Sequence, residues 1–139
     1  MTSTTTWKLF SDGGSRGNPG PSACSYALFD PAGNLRDKCG NYLGEATNNH
    51  AEYCGLLAGV EAAVKAGTTE LDCYLDSELV VKQMKGEYRI KDANLKSIAD
   101  KIKELQINFI KLSFNHVPRE KNQIADRLVN ETLDAVKLL

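Results

Sequence analysis

An α/β fold is predicted by three observations. The first third of the chain is a run of short β-prone segments, helical periodicity begins near residue 53, and strand and helix patterns alternate from there on. Residues 6–12 alternate loosely and read as a first strand. Residues 22–30, SACSYALFD, are β-prone and end at the turn Pro31-Ala32-Gly33-Asn34. Residues 34–43 return from that turn, so short connections predict an antiparallel meander of three strands. Tyr53, Leu56, Leu57, Val60 and Val64 then recur at helical spacing until Gly67 stops the pattern. Glu52 lies in the first turn of that helix, about 100° from the centre of the apolar stripe, at the rim between core and solvent. Residues 70–76 form a fourth strand and 77–85 a helix ending at Gly86. A helix at 93–104, a fifth strand at 107–116 and a last helix at 120–137 complete the order. Helical crossovers make the later strands parallel, giving a mixed sheet of three antiparallel strands and then two parallel ones, flanked by helices.

Length and composition narrow the function. The 139 residues suit one domain, with residues 1–5 as a polar tail and 6–139 as the folded unit. A hydrophobic share of 42% and a charged share of 25% are those of an ordinary globular chain. No stretch approaches the roughly 20 apolar residues of a membrane span. The start, MTSTTTWKLF, has neither the basic nor the long apolar region of a secretory signal. A cytoplasmic, membrane-free protein is therefore expected, with reduced thiols at Cys24, Cys39, Cys54 and Cys73, none of them in a CxxC pair. A net charge of −1, from 17 basic and 18 acidic residues, excludes holding nucleic acid by bulk charge alone. Locally the balance differs: residues 77–111 hold eight Lys or Arg against five Asp or Glu.

Four carboxylates stand where catalytic acids are placed. Asp12 ends the apolar run 7–11 and Asp76 the run 71–75, so both fall at strand carboxyl ends, where α/β sheets bind ligands. If those strands are neighbours, the two side chains converge. Glu52 and Asp126 lie near the starts of two helices. Gathered without cations, four such acids repel one another, and Mg²⁺ is the hard cation that suits their oxygens.

Each acid has an ordinary structural alternative. Asp76 or Ser77 would cap the following helix. Asn49 and Glu52 fit a capping box, Asp126 complements a helix dipole, and Asp12 before two glycines fits an Asx turn. The segment from Asp12 through Gly13, Gly14, Ser15 and Asn18 to Pro21 holds four glycines and two prolines. It is either a hairpin connection or backbone that can approach a phosphodiester without side-chain clash. Asn48 and Asn49 can donate and accept, which suits base edges and 2′-hydroxyls. Lys82, Lys85, Arg89 and Lys91 gather around Tyr88, as a solvated face or a sugar-phosphate contact.

Taken together, DGGSRGNPGPSA, TNNHAE, YLDSELVV and HVPREKNQIADRL resemble the motifs of type 1 ribonuclease H, in family order and over nearly the whole chain from residue 6. The wording is most similar to compact archaeal and plant-type members that lack a separate basic protrusion. The resemblance implies a five-stranded mixed sheet and hydrolysis of the RNA strand of an RNA–DNA hybrid to 5′-phosphate and 3′-hydroxyl ends. It also implies two Mg²⁺ ions, with Mn²⁺ as a possible substitute, held by Asp12, Glu52, Asp76 and Asp126. Within that reading Asp12 bridges, Glu52 and Asp76 serve one ion and Asp126 the other. Asn18, Asn48 and Asn49 match hybrid-contacting positions. Lys82, Lys85 and Arg89 would hold the DNA strand, and a monomer is expected. Two departures stand out. Glu78 occupies the place of a substrate-touching glutamine. The histidine that assists product departure corresponds to His116 by spacing, whereas the loop itself starts at Pro118-Arg119, which favours Arg119. The competing readings are a non-cleaving hybrid- or RNA-binding module and a same-fold nuclease for another duplex.

Overall fold

The computed structural model describes residues 5–139; residues 1–4 of the expected tail lie outside it. Thr5, the last residue of that tail, hydrogen-bonds the Glu70 carboxylate. Five strands, β1 (Trp7–Ser15), β2 (Gly20–Phe29), β3 (Leu35–Ala46), β4 (Glu70–Leu75) and β5 (Lys111–His116), form one sheet in the order β3-β2-β1-β4-β5. β1, β2 and β3 pair antiparallel, and β4 and β5 join parallel. The helices are α1 (Asn48–Lys65), α2 (Glu78–Met84), α3 (Ala93–Leu105) and α4 (Gln123–Lys137). The expected architecture is the one found.

The apolar stripe of α1 does what its spacing predicts. Tyr53, Leu56 and Val60 are fully buried against Leu9, Leu28, Leu71 and Leu75 of the sheet, with Ala99 and Ile102 of α3 closing the layer. α4 covers the other face through Val129 and Leu133, packed on Ala23. Burial of these side chains is the main favourable term in folding.

Several boundaries differ from the sequence reading. β1 does not end at Asp12 but runs on to Ser15, because β2 keeps pairing with it through Ser15↔Ser22 after β4 has stopped at Phe10↔Tyr74. The glycine-rich segment is therefore mostly hairpin strand. β5 begins at Lys111, and residues 106–108 form a 3₁₀ turn that extends α3. Ile107 and Ile110 are 89% and 86% exposed, so their alternation marks no buried strand face. α4 starts at Gln123, after a second 3₁₀ turn at Arg119–Lys121. The cap of α1 is Thr47, whose side chain accepts from the His50 amide at 3.2 Å, and not Asn49. α1 thus begins early enough to put Glu52 in its second turn, and Glu52 is buried rather than at the rim.

Candidate active site

Parallel pairing of β1 with β4 decides where the acids meet. Phe10 is level with Tyr74 and their rings stack at 5.0 Å. Two residues further along the same face come Asp12 and Asp76. Ser77 caps α2 by accepting from the Val80 amide, which leaves the Asp76 carboxylate free of that duty.

Glu52 reaches the same point because α1 lies almost against the backbone of β1. A Cβ on Gly13 would sit 2.1 Å from the Ala51 carbonyl carbon, and one on Gly55 would sit 2.4 Å from the Asp12 carbonyl oxygen. Only hydrogen fits at either position. The role expected of Gly13, close approach to a phosphodiester, is thus taken by close approach to a helix.

Carboxylate oxygens of Asp12, Glu52 and Asp76 all lie within 4.8 Å of one another. Asp12 and Glu52 are 5% and 8% exposed. Burial, then the Asp76 charge, pushes the Asp12 carboxyl up to about 7. Burial, then the Asp12 charge, raises Glu52 well above the usual carboxylate range. Asp76 is raised too, mainly by burial, with Arg119 opposing. One Glu52 oxygen has no hydrogen-bond partner among the described residues. Buried acids that converge and keep an unused oxygen fit a hard divalent ion.

The three acids open on a cleft of about 500 Å³ whose walls include Asp126, Arg119, His116, Asn48, Gly13, Gly14 and Ser15. Asp126 stands outside the 4.8 Å group and pairs with Arg119 at 3.1 Å. His116 ends β5 on the exposed rim. Ser15, Asn18 and Asn48 are joined: the Ser15 amide donates to Asn48 Oδ1 at 2.8 Å, and the Asn48 amide to Asn18 Oδ1 at 3.0 Å. Both side-chain oxygens are thereby used, and the two NH₂ groups remain as donors. Asn49 is exposed on α1, away from the cleft lining.

The expected cation cluster divides. Lys82 is engaged locally, by Glu78 at 2.8 Å and by the Tyr88 hydroxyl at 3.3 Å. That pairing turns Glu78 aside from the acids. Arg89 and Lys91 line a separate hollow of about 520 Å³, together with Lys96 and Lys103 of α3. Lys85 is exposed at the end of α2 and lines neither.

The Reverse transcriptase-like family profile matches residues 10–132. RNase H1 from the archaeon Halobacterium salinarum is 40% identical and superposes with a TM-score of 0.89, over 94% of this chain and 98% of that one. This chain belongs to the type 1 ribonuclease H family. The N-terminal RNase H domain of a Mycobacterium tuberculosis protein superposes with a TM-score of 0.92 at 38% identity, over 96% and 97% of the two chains. LC11-RNase H1, solved in complex with an RNA/DNA hybrid, is 39% identical with a TM-score of 0.88, over 94% and 98%. This ribonuclease H chain spans 34% of the length of the bifunctional mycobacterial relative and 62% of the curated halobacterial ribonuclease HI.

Sequence reasoning missed Arg16, Asn122, Lys96 and Lys103. Arg16 lines the cleft and pairs with Asp134 of α4 at 2.7 Å. The two lysines sit on α3, where helical spacing gives them the pattern of a solvated face.

Proposed function

We propose that this chain is an endoribonuclease that hydrolyses the RNA strand of RNA–DNA hybrids with divalent metal, Mg²⁺ or Mn²⁺, held at Asp12, Glu52, Asp76 and Asp126. The observation that carries the proposal is the convergence of three acids from β1, α1 and β4 within 4.8 Å in an open cleft. A relative at 39% identity that is solved with such a hybrid supports the choice of substrate. Divalent ions bound there would supply a water of lowered pKa and positive charge against the phosphoryl group.

The protein's own part is placement. Gly13 and Gly55 hold Glu52 against Asp12, so the carboxylates are prearranged before any ligand arrives. Water adds across the bond from phosphorus to the 3′-oxygen, leaving a 5′-phosphate and a 3′-hydroxyl. Arg119 neutralises charge beside Asp126 and helps the product phosphate leave, with His116 second to it on the same cleft wall. Asn18 and Asn48 present NH₂ donors to 2′-hydroxyls and minor-groove edges of the RNA strand. Asn49, further along α1, would act only at the margin of that contact. The hollow of Arg89, Lys91, Lys96 and Lys103 takes phosphates of the DNA strand, with Lys85 adding to the field. The protein works as a monomer in the cytoplasm.

The deciding experiment is a panel of labelled hybrid, duplex DNA and duplex RNA, each run in Mg²⁺ and in Mn²⁺. Selective cleavage of the RNA strand of the hybrid is expected. Hybrid binding of equal strength with and without metal, and no cleavage, would establish a binding module instead. Cleavage of another duplex in preference would establish a different nuclease.

A further inference from the structure

Asn122 stands where two of the acid-bearing elements, β1 and α4, meet. It is 1% exposed. Its Nδ2 donates to the Ser11 carbonyl at 2.8 Å, one residue before Asp12. Its main-chain carbonyl accepts the Asp126 amide at 3.1 Å, and its own amide donates to the Arg119 carbonyl at 2.9 Å.

This residue precedes α4, where Asn is expected to cap. It does not cap: its side chain accepts nothing from the first turn, and its backbone sits at φ −122°, ψ 34°. Its Oδ1 has no hydrogen-bond partner among the described residues. An N-cap that accepted would stabilise the helix. Here the donor end faces the sheet, and a buried acceptor is left idle, which is unfavourable. The orientation serves the sheet-to-helix junction and not the helix.

We propose that Asn122 is a positioning residue: its buried amide holds the β1 backbone beside Asp12, while its main-chain carbonyl fixes the helix start that carries Asp126. The start of the helix that carries Asp126 is thereby tied to the strand that carries Asp12 through one side chain. This inference rests on the reading of those acids as the metal-binding centre of hybrid cleavage.

Asn122→Ser tests it. Serine is neutral and a favoured N-cap, so a residue needed only for α4 would lose nothing by this change. Its hydroxyl is too short to reach the Ser11 carbonyl that the asparagine amide holds. The expected result is a fall in kcat of roughly 10- to 100-fold at saturating hybrid, with KM within about threefold of wild type. Calorimetric titration of the metal-free protein with Mg²⁺ should show affinity weakened by roughly tenfold. If the serine variant is too unstable to purify, Asn122→Thr keeps the capping hydroxyl and more bulk, and is read the same way. Wild-type kcat together with wild-type Mg²⁺ affinity in either folded variant would overturn the proposal. Should the wild-type protein cut no duplex, the functional reading fails by itself, and the calorimetric comparison still decides the role of Asn122.

Discussion

The acidic cleft and the basic hollow are built in opposite ways. The cleft draws Asp12, Glu52, Asp76 and Asp126 from four elements spread over more than a hundred residues. Its acids are buried or half-buried and locked by backbone contacts at Gly13 and Gly55. The hollow draws its cations from the single stretch 83–103. Its lysines and Arg89 are largely solvated, and Lys96 alone has an ion-pair partner among the described residues, Asp100 at 3.1 Å. One side-chain relay links the two: Tyr53, next to Glu52, donates to Gln83 at 2.6 Å, and Gln83 donates to the Arg89 carbonyl at 3.3 Å. A centre that must hold charges of one sign together needs the whole fold. A surface that attracts a polyanion needs only a local surplus.

That contrast can be broken at either end. Asp12→Asn should abolish hybrid cleavage in Mg²⁺ while the circular dichroism spectrum is retained; cleavage at wild-type rate would remove the metal centre from the cleft. Gly13→Ala should lower stability by about 3 kcal/mol in urea unfolding, because its methyl group meets backbone that cannot move aside. It should also lower kcat about 100-fold by shifting Glu52. A folded, active alanine variant would show that the tight contact is dispensable.

The metal-free protein should be sensitive to pH in a direction that the raised carboxyl fixes. With the Asp12 carboxyl near 7, above its ordinary 3.8, the folded chain keeps a proton that the unfolded chain has lost. Stability from this group is therefore full at low pH and disappears as pH rises through 7. Unfolding free energy should drop by about 2 kcal/mol or more between pH 5 and pH 8, with a smaller drop left in Asp12→Asn because Glu52 and Asp76 are raised too. Saturating Mg²⁺ should cancel it by stabilising the ionised set. Flat stability over that range would mean that water reaches the acids and screens them.

At the basic end the effects should be smaller and salt-dependent. Arg89→Ala with Lys91→Ala should raise KM for hybrid about three- to tenfold, leave kcat unchanged and lower the salt slope by about one for each phosphate left unneutralised. An unchanged salt slope would remove the hollow from the substrate path. Lys82→Ala should do least, leaving stability and KM close to wild type, because its ion pair with Glu78 is a surface pair within one helix. A KM change larger than that of the double variant would reverse the ranking.

Much of the cleft is legible in the amino-acid sequence alone. The apolar runs before Asp12 and Asp76 place both acids at strand ends, and the sheet order meets the condition that those strands be neighbours. The junctions are not legible. Asn49 with Glu52 looks like a capping box, but the helix starts at Thr47, whose hydroxyl takes the His50 amide first. The glycines after Asp12 look like a flexible loop, and no local pattern could show that a helix 38 positions on would press against Gly13. Asn122 is hidden for a related reason: an Asn before a helix reads as a cap, and only tertiary packing turns its amide to the sheet. Close approach and donor direction are long-range properties, and periodicity carries neither.

The bonds joining Ser15, Asn18 and Asn48 have one more consequence. They tie the hairpin tip to the helix start, so the NH₂ groups of Asn18 and Asn48 are held at one spacing. A duplex whose groove does not match that spacing would have to distort to meet both donors. The penalty for the wrong helix geometry would then fall on the nucleic acid as distortion, and discrimination would come from the mechanical stiffness of the ligand.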